Sequence, residues 1–334
     1  MTFDTDDVAA RLRAEFPGAL RSGQVVGYFQ PEVELSTGRL VAAELLARWE
    51  HPEYGILQPG LFLPLAGELG LMGELCRLTV RQALAQHRAW AAAGWVVPVS
   101  VNVDPGCVAD PAFPAAVARL LREERVPGRI LALEVSEETG TAVATAGFFA
   151  QLADSGVRVS LDDFGTGVAC LESLGGWPVD ELKLDMSIVR PVAASARFRA
   201  IVASTIDLAH QLGVRVVAEG IESEAVSSEL RALGCDIGQG YFLGRPMPAA
   251  AFTEWMRDAA RLVTRLEGSG YPPLSPPASE EGPAPAARAA GRAAGAARRV
   301  VQPAGGGALG MAAAMVVLYG LWQVFRWAGA SAGR

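Results

Sequence analysis

Histidine is almost missing from this chain of 334 residues, whose whole supply is His51, His87 and His210. A metal centre built on imidazole is thereby nearly excluded. Any metal must rely on oxygen ligands, which suit Mg²⁺, Mn²⁺ or Ca²⁺. Cysteine is scarce too: Cys76, Cys107, Cys170 and Cys235 are scattered without C-x-x-C spacing. That pattern argues against a zinc ribbon or a disulfide framework, and a reducing cytosol fits it. The first 23 residues lack the apolar core of a secretory leader. Lysine is the rarest base, since 28 of the 29 basic residues are arginine and Lys183 stands alone. A chain so biased toward guanidinium keeps a compact ammonium, of lower pKa than guanidinium, at one place, which marks that place.

Basic charge is also thin where the globular part lies. The net charge is −7, but residues 282–334 hold six Arg and no acid, leaving 23 bases against 36 acids in residues 1–281. Such an acidic body is a poor binder of nucleic-acid polymers.

What is present is a hydrophobic fraction of 51%, enough for one large core. Residues 5–20 read as an amphipathic helix, so that residues 1–23 lead into the main body. From residue 24 onward, eight short apolar runs follow one another: QVVGYFQ (24–30), LVAAELLARW (40–49), VVPVSVNV (96–103), RILALEVS (129–136), VRVSLDD (157–163), DELKLD (180–185), VRVVAEG (214–220) and CDIGQGYF (235–242). Helical patterns fall between them at 60–92, 111–124, 141–155, 188–212, 222–233 and 249–266. Apolar strands each followed by a helix predict an α/β fold, a (β/α)₈ TIM-type barrel over 24–267 with its chemistry at the C-terminal strand ends. The turn STGR (36–39) predicts that one early strand runs antiparallel.

Beyond the barrel the composition changes. Residues 268–300 are rich in Pro, Ala and Gly and read as a flexible linker. Residues 301–327 form a candidate C-terminal transmembrane anchor. Residues 300–325 carry no charge, and 304–325 as a helix would span about 33 Å. Arg288, Arg292, Arg298 and Arg299 precede that stretch and place the barrel on the cytoplasmic side of an inner membrane. Gly306, Gly310 and Ala314 fall at intervals of four, a face on which two such helices would pair.

The stretch VSLDDFGTG (159–167) admits three chemistries. Asp163-Phe164-Gly165 would be the DFG of a protein kinase, Gly165-Thr166-Gly167 would open a dinucleotide loop, or Asp162 and Asp163 would hold metal ions. The kinase reading fails because no VAIK-type lysine or catalytic HRD triplet exists. The dinucleotide reading fails because Cys170 stands where the third glycine belongs and two acids precede the loop. Polar residues also end nearly every strand: Gln30, Glu44, Asn102, Glu134, Asp162, Asp163, Lys183, Asp185, Glu219 and Gln239. An isolated acid at a strand end is usually a solvated rim residue or a cap, a reading that still holds for Glu137, Asp185 and Glu222. So many acids converging on one rim would repel one another, and cations are the economical remedy.

Residues 27–252 resemble the EAL-domain phosphodiesterases, which hydrolyse cyclic di-GMP to linear pGpG. The resemblance rests on YFQP (28–31), AELLARW (43–49), SVNV (100–103), LEVSE (133–137), LDDFGTG (161–167), ELKLD (181–185), AEGIE (218–222) and QGYFLGRP (239–246). It implies two Mg²⁺ or Mn²⁺ ions held by Glu44, Asn102, Glu134, Asp162, Asp163 and Glu219. It also implies Lys183 beside the attacking water, with Glu219, Asp163 and Glu44 sharing in catalysis. Gln30, Arg48, Gln239 and Asp185 fall on the substrate side, and Glu137 and Glu222 become loop-stabilising residues. The implied chemistry is in-line attack of an activated water on one phosphodiester, in a homodimer. Several positions depart from the family pattern: Leu45 in the signature, Gly67, Asp104, and Val168-Ala169-Cys170, which removes three hydroxyls from a loop coupled to the dimer interface. Two alternatives remain. One is a cyclic di-GMP receptor signalling through its membrane tail, although such receptors usually lose metal ligands that this chain retains. The other is an unrelated barrel enzyme acting on phosphate esters.

Overall fold

The computed structural model describes residues 5–136, 142–165, 174 and 176–267. The strands are β1 (Val25–Glu34), β2 (Leu40–His51), β3 (Gly55–Leu57), β4 (Val99–Val103), β5 (Leu131–Ser136), β6 (Arg158–Phe164), β7 (Glu181–Leu184), β8 (Arg215–Ala218), β9 (Ile237–Gly238) and β10 (Met247–Pro248). The helices are α1 (Thr5–Ser22), α2 (Pro59–Glu68), α3 (Met72–Ala92), α4 (Pro105–Ala109), α5 (Phe113–Glu124), α6 (Ala142–Ser155), α7 (Met186–Val189), α8 (Ala196–Gln211), α9 (Glu224–Ala232) and α10 (Ala249–Glu267).

Eight strands close on themselves in the order β1-β2-β4-β5-β6-β7-β8-β9 and back to β1. Every neighbouring pair from β2 to β9 is parallel, and β1 is antiparallel to both β2 and β9. The expected barrel and its early antiparallel strand are therefore present. Two short strands lie outside the eight. β3 folds back on β2, and β10 takes the part of the β1 edge that β9 leaves.

The central strands are apolar on both faces because helices cover the outside and side chains fill the inside. In β5, Leu131, Ala132, Leu133, Glu134 and Val135 are all buried. The covering helix α3 buries Leu75, Cys76, Thr79, Val80, Ala83, Leu84, His87 and Trp90, a spacing of three and four that makes one apolar stripe. Its His87 ring sits at 2.7 Å from the Val97 carbonyl through Nδ1, and burial pushes its pKa down.

Where helices were expected to run on, local chemistry divides them. The stretch 60–92 breaks between α2 and α3 at Gly70, whose φ of +67° suits a residue without Cβ. The stretch 188–212 breaks after α7, with Pro191 in the connection. The stretch 111–124 begins at Phe113 and is preceded by the separate turn of α4, capped by Asp104 Oδ1 accepting from Gly106 N at 2.8 Å. The strand expected at 235–242 shrinks to two residues, because Gln239 onward turns across the barrel mouth. Among the described residues no helix is long and apolar enough to cross a membrane; the linker and the anchor candidate at 301–327 lie outside the described residues.

Helix α1 belongs to the same packed body. Leu12, Phe16, Ala19 and Leu20 enter a core with Val25, Trp49, Leu57, Phe62, Ala66 and Leu75. Phe16 is fully buried, edge-on to Trp49 at 5.4 Å and stacked on Phe62 at 5.8 Å. Glu15 reaches the buried His51 ring at 2.6 Å, and Arg13 pairs with Glu68. Phe16→Ala should therefore destabilise the barrel by about 3–5 kcal/mol, read as a lower urea midpoint with an unchanged slope. A loss below about 1 kcal/mol would show that α1 packs only peripherally.

Candidate metal and phosphodiester site

Strand alternation builds the site. Residues two apart share a face, so each barrel strand sends a vertical pair of side chains inward. The upper members are Gln30 on β1, Glu44 on β2, Asn102 on β4, Glu134 on β5, Asp162 on β6 and Lys183 on β7, with Glu219 and Gln239 just past the ends of β8 and β9. Backbone pairing sets Gln30 beside Glu44 and Asn102 beside Glu134.

Lys183 stands at the centre, 1% exposed. Its Nζ lies 2.6 Å from Glu219 Oε1, 2.8 Å from Glu134 Oε2, 3.4 Å from Glu44 Oε2 and 3.7 Å from Asp162 Oδ1. Glu44 is further held by Asn102, which donates through Nδ2 to Oε1 at 2.6 Å, and by Gln239, which donates through Nε2 to Oε2 at 2.7 Å. Those bonds leave the Asn102 amide oxygen as the atom that can face a cation.

The adjacent aspartates depart from simple alternation, which would point Asp163 outward. The β6–β7 register shifts between Leu161 and Phe164, and Asp163 takes φ +59°. This bulge brings carboxylate oxygens of Asp162, Asp163 and Glu219 within 4.8 Å of one another. A left-handed non-glycine residue costs about 1–2 kcal/mol, and here the distortion turns two consecutive acids to one rim. Asp163 N also donates to Asp162 Oδ1 at 2.9 Å, which fixes the pair. The turn that carries Gln239 depends on Gly240, where a Cβ would lie 2.2 Å from the backbone of Ile221.

Burial and mutual repulsion set the proton affinities. Glu134 is pushed well above the carboxylate range by burial and then by the charge of Glu44. Glu219 rises to about 8 through burial, with Asp162 adding to the rise and Lys183 opposing it. Burial also pushes Glu44 up, but Lys183 and the bonds from Gln239 and Asn102 outweigh it, and the net shift is downward. Burial would lower Lys183, yet Asp162, Glu134, Glu219 and Glu44 together drive it well above its ordinary value. The lone lysine thus has the compact shape expected of it and a tightly held proton.

The donor set fits hard divalent cations. It consists of carboxylates and an amide, and the buried Glu134 Oε1 accepts no hydrogen bond. A cation can supply that partner and replace the protons that burial and then repulsion favour on these acids.

The remaining expected residues lie farther out. Arg48, 8% exposed, donates to the Ala47 carbonyl at 2.8 Å and has its guanidinium 5.8 Å from the Tyr28 ring centre. Gln30 donates to the Gly244 carbonyl at 3.1 Å, which ties β1 to the rim loop. Asp185 caps α7 by accepting from Ser187 N at 2.9 Å, so its carboxylate is engaged in the local turn. Glu222 pairs with Arg190 at 2.5 Å, linking the loop after β8 to the end of α7. Glu137 and Val168-Ala169-Cys170 lie outside the described residues.

A second polar layer escaped the sequence reading. Glu32, Ser100, Ser160 and Glu181 are all buried, each two residues along its strand from Gln30, Asn102, Asp162 and Lys183. Ser100 donates to Glu32 at 3.2 Å, and Glu181 is held by Arg158 at 2.8 Å and by Arg215. Burial, followed by the charge of Glu181, lifts Glu32 to about 7. The signal was available as alternation, because Gln30, Asn102, Asp162 and Lys183 each have a polar residue two places along the strand. At the rim, the Arg245 guanidinium lies over Tyr241, 4.1 Å from the ring centre.

Comparison with known proteins follows the same outline. The EAL domain family description matches residues 13–246. The bifunctional diguanylate cyclase/cyclic di-GMP phosphodiesterase MucR of Pseudomonas aeruginosa is 38% identical over 237 residues, covering 69% of this chain and 34% of MucR. The cyclic di-GMP phosphodiesterase RocR of the same organism is 34% identical over 245 residues, covering 72% of this chain and 62% of RocR. The chain thus spans about a third to three fifths of the length of these relatives. The solved phosphodiesterase of P. aeruginosa MucR in complex with c-di-GMP superposes with a TM-score of 0.69 at 36% identity, covering 72% of this chain and 99% of that one.

The proton affinities give a measurable consequence. Folded Glu219 keeps a proton up to about pH 8, whereas an unperturbed carboxyl releases it near 4.5. Between those values the folded state binds more protons than the unfolded one. Stability of the metal-free protein should therefore fall as pH rises from 4.5 to about 8 and level off above it. Mn²⁺ binding at pH 7 should release protons, seen calorimetrically as binding heats that change with the ionisation enthalpy of the buffer. Heats independent of the buffer would contradict this picture of the site.

Proposed function

The chain belongs to the EAL domain family, and from that premise we propose that it hydrolyses cyclic di-GMP to linear pGpG with Mg²⁺ or Mn²⁺. The observation that carries the proposal is the placement of Lys183 among Glu44, Glu134, Asp162 and Glu219, with Asp163 turned to the same rim by the β6 bulge. The likeness to cyclic di-GMP phosphodiesterases over about 70% of the chain supports it.

Glu44, Asn102, Glu134, Asp162, Asp163 and Glu219 would hold the cations. Bound there, the ions would acidify a water and offset charge on the phosphate. With the cations held there, the Lys183 ammonium would orient the attacking water and offset negative charge. Its compact head suits that position, where a planar guanidinium would not fit among four acids. Glu219, the most exposed of the four carboxylates around Lys183, is the one that reaches water at the rim. Arg48 and Gln30 line the substrate side, and Gln239 keeps Glu44 oriented. Asp185 contributes by shaping the α7 turn.

We further propose that the barrel acts as a homodimer and that residues 301–327 anchor it to a cytoplasmic membrane. Both rest on the sequence alone: the resemblance implies the dimer, and the uncharged run 300–325 implies the anchor.

Two outcomes test the reading. Purified protein with Mg²⁺ or Mn²⁺ should convert cyclic di-GMP to pGpG, resolved by chromatography. Chelator or Glu44→Ala should abolish conversion. Binding without conversion in either metal would favour a receptor. Lys183→Arg should retain substrate affinity while turnover falls by roughly 100-fold or more, the scale of losing a positioned proton-transfer or charge-stabilising group. Equal turnover would make the lone lysine an accident of composition.

A further inference from the structure

Lys183 carries its ammonium on a flexible stem between two sets of acids. Above are Glu44, Glu134, Asp162 and Glu219, which it meets. Below is Glu181, two residues earlier on the inner face of β7 and so about 6.6 Å away along the strand. A four-carbon stem can swing its charge that far. Among the described residues, however, no ion pair joins Lys183 to Glu181, although both are buried.

Arginine occupies Glu181 instead. Its Oε1 accepts from Arg158 Nη1 at 2.8 Å and from Arg215 Nη2. Backbone pairing sets Ser160 on β6 and Arg215 on β8 to either side of Glu181, with Arg158 two residues before Ser160 and therefore on the same face. Arg158 Nη2 and Ser160 Oγ are buried and have no hydrogen-bond partner. Donors thus outnumber acceptors around this carboxylate. Glu32, the other acid of the layer, accepts from Ser100 at 3.2 Å, and burial raises its affinity for a proton.

We propose that Arg158 and Arg215 are positioning residues: by sharing the Glu181 carboxylate they keep the Lys183 ammonium turned up among the strand-end acids. The charge imbalances on the two sides of Lys183 are opposite in sign. Below it two guanidinium groups face Glu181, and above it one ammonium faces four acids. The ammonium is repelled from one side and drawn to the other. Without the arginines Glu181 becomes a buried carboxylate with no partner, a costly state, and Lys183 is the cation two residues along that can reach it. As the ammonium turns down, Glu134 and Glu219, at 2.8 and 2.6 Å from Nζ, lose the contact that orders them. A loss of cation affinity follows if those acids hold metal, so that part rests on the proposed metal site; the position of Nζ does not.

The test uses the full chain in two forms, one with Arg158→Met and Arg215→Met, the other with Glu181→Gln added to both. In the metal-free crystal structure of the arginine-less form, Nζ should pair with Glu181 in place of Glu134. Its Mn²⁺ affinity, measured by electron paramagnetic resonance of free Mn²⁺, should fall about tenfold, the scale of losing a group that orients metal ligands. Adding Glu181→Gln removes the buried charge and should return both Nζ and the Mn²⁺ affinity to the parent's. Arginines that only support the fold would leave the triple variant as damaged as the double. An Nζ still among the upper acids in the arginine-less form, or no recovery in the triple variant, would overturn the proposal. If the arginine-less form does not fold, Arg215→Met with and without Glu181→Gln gives the same comparison at smaller amplitude, since that guanidinium is 48% exposed. A parent that binds no Mn²⁺ would defeat the metal-site reading, and the position of Nζ would still decide this one.

Discussion

One buried ammonium faces four carboxylates, and the upper half of the barrel depends on that imbalance. Lys183 is within 3.7 Å of Glu44, Glu134, Asp162 and Glu219. A single positive charge cannot neutralise four acids taken out of water, so burial first, and repulsion after it, favours protons on some of them. The rise of Glu134 and Glu219 above the carboxylate range is that effect. A site with surplus negative charge, bound protons and an unpartnered carboxylate oxygen is poised to exchange the protons for cations. Stability and function pull against each other here. The acids that would hold metal are poorly suited to a metal-free core.

The rest of the structure keeps those groups in place. Parallel strands give each side chain a fixed height, and the interior layers repeat every second residue. Below the layer of acids around Lys183, Glu32, Ser100, Ser160 and Glu181 form a polar floor, steadied from beneath by Arg158 and Arg215. Above it, Gly240 lets the chain pass against Ile221 so that Gln239 reaches Glu44. The bulge at Asp162 and Asp163 is a local distortion that the site needs, and it answers why two consecutive acids occur at the end of an apolar strand.

Much of this was legible in the sequence. Eight apolar runs separated by helical patterns predict the barrel, and the acids at their ends predict where its chemistry sits. The lone lysine marks the centre of the cluster. Other features were hidden for identifiable reasons. β3 and β10 are too short to leave a periodic signal. The division of 60–92 turns on the backbone conformation of one glycine, which apolar spacing does not register. Asp185 has the same composition-level appearance as the other strand-end acids, and only the Ser187 amide shows that its carboxylate caps a helical turn. The polar floor was readable in principle, since it repeats the motif residues at a period of two, but attention to strand ends passes over strand middles.

The central claim is that Lys183 stands in for missing positive charge and that divalent cations complete it. Thermal unfolding of Lys183→Met, compared with the parent in chelator and in Mn²⁺, tests this most directly. Without metal the variant should lose about 3–5 kcal/mol, the scale of unpairing a buried ionic cluster, and Mn²⁺ should raise its midpoint by more than it raises the parent's. Equal metal-induced shifts in the two proteins, or no loss of stability in chelator, would contradict the account.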